Sequence, residues 1–145
     1  MTRDAGDIAR LSAAALWADD RVSQGLGMEI VSVGPGRAEL AMMVTERMVN
    51  GHGFGHGGII FTLADSALAF ASNAYGRRAV AQHCTITYLA PARLGMRLLA
   101  VASERHRGER GGIYDVSVRD AAGTVIAEFR GHARTLPDSL LEAAV

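Results

Sequence analysis

From Gly57 to about Tyr75 the chain is apolar at nearly every position, and a glycine-rich run, Gly51 to Gly58, leads into it. On a helix drawn through this stretch, Ile60, Ala64, Ala67 and Ala71 fall on one side and Phe61, Leu68 and Phe70 on another. A helix that is apolar all round is buried, so other elements must wrap it. One formally charged side chain, Asp65, lies between Arg47 and Arg77. An unpaired carboxylate in a water-poor setting is costly, and chains keep one where chemistry or a specific partner needs it. The glycines ahead of it mark a helix start, whose free backbone N–H groups can bind an oxyanion. Together these features point to acyl-group chemistry. The competing reading is a structural, hydrogen-bonding Asp65 with glycines that serve close packing.

The remaining elements follow from periodicity and turn signals. Ile8, Leu11, Ala15 and Leu16 predict a short amphipathic helix over Asp7 to Asp20, within about residues 5–22. Met28 to Val33 and Arg37 to Val44 read as two strands joined by Gly34-Pro35-Gly36. The buried helix ends before Gly76-Arg77-Arg78, where glycine and cations suit a C-terminus. Strand-like segments follow at Ala79 to Leu89, Leu94 to His106, Ile113 to Asp120 and Thr124 to Thr135, with Pro91 and Pro137 ending elements. Two strands, one buried helix and then four strands in an antiparallel meander predict an α+β fold. Its single antiparallel sheet wraps one long central helix in one domain spanning 1–145.

Composition narrows the function classes. Hydrophobic content of 49% and zero net charge argue against disorder and against a general nucleic-acid binder. All 15 cationic side chains are arginine, which excludes Schiff-base lysine chemistry and a P-loop lysine. The single Cys84 excludes an intrachain disulfide and a multi-cysteine zinc site, and reads as an inert core residue. The N-terminus has no basic start with an apolar run, so a cytoplasmic protein without a membrane span is expected.

Two constellations could carry chemistry. The first is Asn50-Gly51-His52-Gly53-Phe54-Gly55-His56-Gly57-Gly58 followed by Asp65. The Gly57 amide can hold a carbonyl oxygen as charge builds, and Asp65 can act as general base or nucleophile. His52 and His56 are four apart, but Gly-Phe-Gly between them is not helical, so no metal is expected. His56 instead orients the loop or the substrate. The second constellation is Arg105-His106-Arg107-Gly108-Glu109-Arg110-Gly111-Gly112. With Arg105 and Arg107 on one strand face and Arg110 in a glycine turn, it is either a phosphate receptor or a solvated hairpin tip.

The pattern Asn50…His56-Gly57-Gly58-x-x-Phe61-x-Leu63-Ala64-Asp65 resembles the hotdog-fold acyl-CoA thioesterases, most closely the phenylacetic acid degradation thioesterase group. The likeness extends through Thr85-Ile86-Thr87-Tyr88-Leu89-x-Pro91, Arg105-His106-x-Gly108 and Gly112-Ile113-Tyr114-Asp115, covering roughly Leu26 to Arg134. It implies a hydrolase of small aryl-acyl-CoA thioesters, such as phenylacetyl- or hydroxyphenylacetyl-CoA, with no cofactor beyond the coenzyme A of the substrate. It also implies homodimers, usually paired into tetramers, whose active sites take the acid and the oxyanion donor from opposite subunits. Carried over, Asp65 is the nucleophile or base, Gly57 the oxyanion amide, and Asn50 and His56 position the thioester or water. Gly58 and the turn residues Arg105, Arg107, Gly108, Arg110 and Gly111 then contact substrate or coenzyme A. Where relatives place Ser or Thr to hold water, this chain has Ala81. His83 and Thr85, on the same face by period two, are the candidates to replace it. A non-catalytic acyl-CoA-binding module and an enoyl-CoA hydratase are the alternatives.

Overall fold

A computed structural model describes residues 2–141; Met1 and residues 142–145 of the expected domain lie outside the described residues. Helix α1 (Ala5–Asp19) starts where Asp4 caps it, its carboxylate accepting the Asp7 N–H at 2.7 Å. A second short helix, α2 (Arg21–Gly25), was not expected from periodicity. Asp20 caps it by accepting from the Ser23 N–H at 3.0 Å and the Ser23 hydroxyl at 2.6 Å.

Strands β1 (Glu29–Gly34) and β2 (Arg37–Met43) form the expected hairpin. Helix α3 (Gly57–Ser72) follows, then β3 (Arg77–Tyr88), β4 (Arg97–Arg107), β5 (Gly111–Arg119) and β6 (Val125–Ser139). The six strands form one antiparallel sheet in the order β1-β2-β4-β5-β6-β3. The expected sheet around a long helix is therefore present. The expected four-strand meander is not: only β4-β5-β6 is one, and β3 sits at the far edge beside β6. The chain reaches that edge by running through α3 across the concave face, so β4 is left to pair with β2. Among the described residues no helix is long and apolar enough to cross a membrane.

Leu63, Ala64, Ala67, Leu68 and Ala71 of α3 are buried against Leu40, Met42, Leu98, Val116 and Phe129 from the sheet. Burying these side chains supplies most of the fold's stabilisation, at roughly 25 cal/mol per Å² of apolar surface. The helix ends three residues before its apolar run does. Asn73, only 3% exposed, donates to the carbonyls of Ala69 and Ala79 and accepts from the Ala79 N–H. Those bonds turn the chain into β3, so Arg77 and Arg78 begin a strand instead of closing the helix. Pro137 likewise lies within β6, not at its end. It falls in a register shift, where three residues of β3 (Arg77 to Ala79) face five of β6 (Thr135 to Ser139), so no ladder bond is needed from it.

Candidate active site

The loop before α3 is strapped on both sides. The Gly55 N–H donates to the Ala92 carbonyl at 2.6 Å, and the His56 N–H to Met48 at 2.7 Å. Asn50 staples the loop internally: its Oδ1 accepts from the N–H groups of His52 (2.9 Å) and Phe54 (3.2 Å). Its Nδ2 donates to nothing among the described residues. His56 is the N-cap of α3, and its Nδ1 accepts the Gly58 N–H at 2.9 Å. That bond engages the ring in capping and takes the Gly58 amide out of play as a donor.

The remaining amides of the first turn divide sharply. Ile59 and Ile60 donate to the His56 carbonyl at 2.9 and 3.1 Å, whereas Gly57 N–H donates to nothing among the described residues. Gly57 thus offers the one unshared amide of this turn, at the positive end of the helix. It opens into a cleft of about 410 Å³ walled by Asn50, Phe54, Ile60, Tyr88 and Pro91.

Asp65 is half-buried and accepts no hydrogen bond among the described residues. Burial raises its proton affinity above the ordinary carboxylate range, and the Asp20 carboxylate raises it further. Asp20 is held near α3 by a chain of contacts: it accepts from Ser23, whose hydroxyl meets that of Ser66 at 2.8 Å in the interior. The sequence reading missed Asp20. The available signal was its spacing to Ser23, which suits an N-cap. Asp65 is eight residues beyond Gly57, which at 1.5 Å per residue separates them by roughly 12 Å along α3. One carbonyl group cannot touch both within a single chain.

Strand β3 packs beside Asp65, and a bulge decides what it presents. Cys84 pairs with Gly131, where a Cβ would lie 2.5 Å from Leu68 of α3, so this pair faces the helix. Ala81 pairs with the buried Ala133 on the same face. A register shift between Ala81 and His83 inserts Gln82 and inverts the alternation. His83 therefore stacks edge-on against His132, and Thr85 pairs with Arg130, both on the outer face. Contrary to the period-two expectation, neither shares the face of Ala81 within this chain. Cys84 packs half-buried against the core on the inner face, as expected, and burial followed by the Asp65 charge pushes its thiol up, which keeps it protonated and unreactive.

A second bulge, between Glu104 and His106, splits the arginine turn. Arg105 points to the outer face, with its Nε donating to Asp115 at 2.8 Å. Arg107 points inward, its guanidinium 3.5 Å from the Tyr75 ring centre. The expectation that the two arginines share a face is therefore wrong. Arg107, Gly108 and Gly111 line a small cavity with Tyr75, Arg77 and Tyr114; its two tyrosine hydroxyls donate to Glu104 at 2.8 and 2.9 Å. Arg110 is exposed at the hairpin tip.

Comparison with known proteins adds relatives to this geometry. The thioesterase superfamily model matches residues 52–127. Acyl-coenzyme A thioesterase PaaI of Escherichia coli (strain K12) is 40% identical over 125 residues, 86% of this chain and 89% of that protein. The solved structure of the E. coli PaaI protein from the phenylacetic acid degradation operon matches with a TM-score of 0.92 and 38% identity. That match covers 94% of this chain and 99% of the other. A Streptococcus mutans UA159 structure bound to acetyl-CoA matches with a TM-score of 0.73 and 29% identity, over 75% of this chain and 88% of that one.

Proposed function

We infer the reaction from the premise that this chain belongs to the thioesterase superfamily, shares its hotdog fold and is an acyl-CoA thioesterase. The finer reading is hydrolysis of small aryl-acyl-CoA thioesters, such as phenylacetyl- and hydroxyphenylacetyl-CoA, to free acid and coenzyme A. The observation that carries the thioester chemistry is the unshared Gly57 amide and the desolvated Asp65 carboxylate on one helix. Asp65 either deprotonates a water that attacks the thioester carbonyl carbon, or attacks that carbon itself to form an acyl anhydride that water then hydrolyses to free acid, regenerating the carboxylate. The Gly57 N–H receives the charge that develops on the carbonyl oxygen, and the coenzyme A thiolate leaves. Asn50 and His56 hold the loop that aims this amide. Arg107, Gly108 and Gly111 receive coenzyme A phosphate, with Arg105 and Arg110 left to solvent-side contacts. No cofactor beyond the substrate's own coenzyme A is invoked, and a cytoplasmic location belongs to the same reading.

The roughly 12 Å between Gly57 and Asp65 supports a site shared across a homodimer, with dimers pairing into tetramers. So does β3, a 12-residue edge strand hydrogen-bonded on one side only, with Val80 49% and Tyr88 47% exposed. A second copy added along that edge would bring its own α3 start toward Asp65.

The aromatic and aliphatic walls of the cleft favour a flat, compact acyl group. Free-thiol release across a panel of acyl-CoAs tests this. We expect kcat/KM for phenylacetyl-CoA to exceed that for acetyl-CoA and palmitoyl-CoA by roughly tenfold or more, the scale of one or two well-filled contacts. Equal rates across the panel would reject the aryl assignment. Thiol absent from every reaction would favour the binding module or the hydratase.

The acid limb of the pH–rate profile gives an independent check. Asp65 must be ionised to act, so kcat/KM rises as pH climbs through its pKa. Removing the Asp20 charge lowers that pKa, and Asp20→Asn is expected to move the acid limb to lower pH. Asn still caps α2. An unmoved or upward-shifted limb would contradict coupling between the two carboxylates.

A further inference from the structure

Tyr88, the last residue of β3, reaches across the cleft to the start of α3. Its hydroxyl donates to the Gly57 carbonyl oxygen at 2.6 Å. Its ring lies so close to the bare Cα that a Cβ at position 57 would sit 3.0 Å from both Cζ and Oη. Burial raises the Tyr88 phenol above its ordinary proton affinity, so it stays a hydrogen-bond donor at neutral pH.

The same residue therefore has two neighbouring polar groups with different fates. The Gly57 carbonyl is held by Tyr88, and the Gly57 N–H is left unshared. Both peptide units of Gly57 are tied within the turn, since the His56 carbonyl accepts from Ile59 and Ile60 and the Gly58 N–H donates to His56; the Tyr88 bond ties that turn to the sheet across the cleft. We propose that Tyr88 is a positioning residue for the oxyanion amide: by gripping the Gly57 carbonyl it holds the first turn of α3 against the end of β3 and so sets where the Gly57 N–H sits in the cleft. Ring contact means that a side chain at position 57 would press on Tyr88; the hydroxyl ties the glycine's carbonyl to the sheet. The inference rests on the reading of Gly57 as the oxyanion donor.

Packing and positioning separate cleanly, because packing belongs to the ring and positioning to the hydroxyl. Tyr88→Phe keeps the ring, and the released carbonyl lies beside an open cleft where water can satisfy it. Donors aimed at developing charge act on the transition state, so their misalignment lowers kcat and leaves ground-state binding nearly intact. With the best aryl-acyl-CoA substrate, we expect Tyr88→Phe to lower kcat roughly tenfold, with KM within about twofold and the melting temperature unchanged. Wild-type kcat in Tyr88→Phe would overturn the proposal, and so would a change confined to KM, which would make Tyr88 a substrate contact. Asp65→Asn assayed in parallel distinguishes the two layers. If it is inactive while Tyr88→Phe is unimpaired, only the role of Tyr88 fails; if it is fully active, the catalytic reading fails and takes this inference with it.

Discussion

Asp65→Asn is expected to lower kcat by about three orders of magnitude, the middle of the range for losing a positioned general base. The substitution keeps shape and burial and removes only the ionisable oxygen, so the loss reads the chemistry. Its thermal stability carries a second, opposite expectation. A carboxyl whose proton affinity is raised on folding contributes stability that is full below the ordinary carboxylate range and is lost as pH rises through the folded value. At neutral pH the ionised, half-buried Asp65 therefore weakens the fold. Asp65→Asn should melt no lower than wild type, and a clearly lower melting temperature would reveal a stabilising partner for the carboxylate.

Mixing this variant with Gly57→Ala tests where the two groups meet. In Gly57→Ala the new Cβ presses on Tyr88 and displaces the amide, so each variant alone is expected to be nearly inactive. If sites are shared, a mixed dimer holds one intact Asp65–Gly57 pair. Random assortment makes half the dimers mixed, and activity should recover to about a quarter of wild type. Sites contained within single chains would give no recovery.

Gly111→Ala is expected to be the most destabilising substitution among the turn residues. Gly111 has φ +154°, a region L side chains rarely adopt, and its Cβ would fall inside the van der Waals envelope of the Ala133 carbonyl oxygen. That oxygen is backbone in β6 and cannot step aside as a side-chain end could. Strain and overlap together should cost about 3–5 kcal/mol. A loss of that size lowers the melting temperature of a chain this long by roughly 10–15 °C. Gly34→Ala is the control: nothing lies within 4 Å of its Cβ position, so it should shift stability by only about 0.5 kcal/mol. Equal melts for the two variants would show that the β5–β6 approach is looser than its geometry. Because Gly111 closes the hairpin that carries Arg107, coenzyme A affinity should fall with the fold.

The core of this architecture was legible because all-round apolarity from Ile59 to Ala74 leaves a helix no surface to occupy. Its beginning was legible too, since paired glycines after a potential cap mark a helix start, and α3 does begin at Gly57. Its end was not. The apolar run continues to Tyr75, while Asn73 leaves the helix to bond Ala79, a contact made only once β3 is in place. The position of β3 was misread for a related reason. Sequential strands usually pair, and nothing local records that α3 carries the chain to the opposite edge.

Spacing and residue type were enough to single out Asp65, Gly57, His56 and Asn50, because a charge in an apolar run and glycines at a helix start are local properties. Which other side chains join them was decided by two bulges. The one at Gln82 turns His83 and Thr85 to the outer face and leaves Ala81 and Cys84 toward α3; the one at Arg105 separates it from Arg107. Bulges arise from pairing with strands distant in the chain, so strict alternation cannot foresee them. Tyr88 against Gly57 and Asp20 beside Asp65 are contacts of the same kind, joining residues 31 apart in the first case. The long apolar helix thus dictated that a sheet must wrap it and where a charge on it would matter; cross-strand pairing, which no local pattern encodes, selected the groups that face that charge.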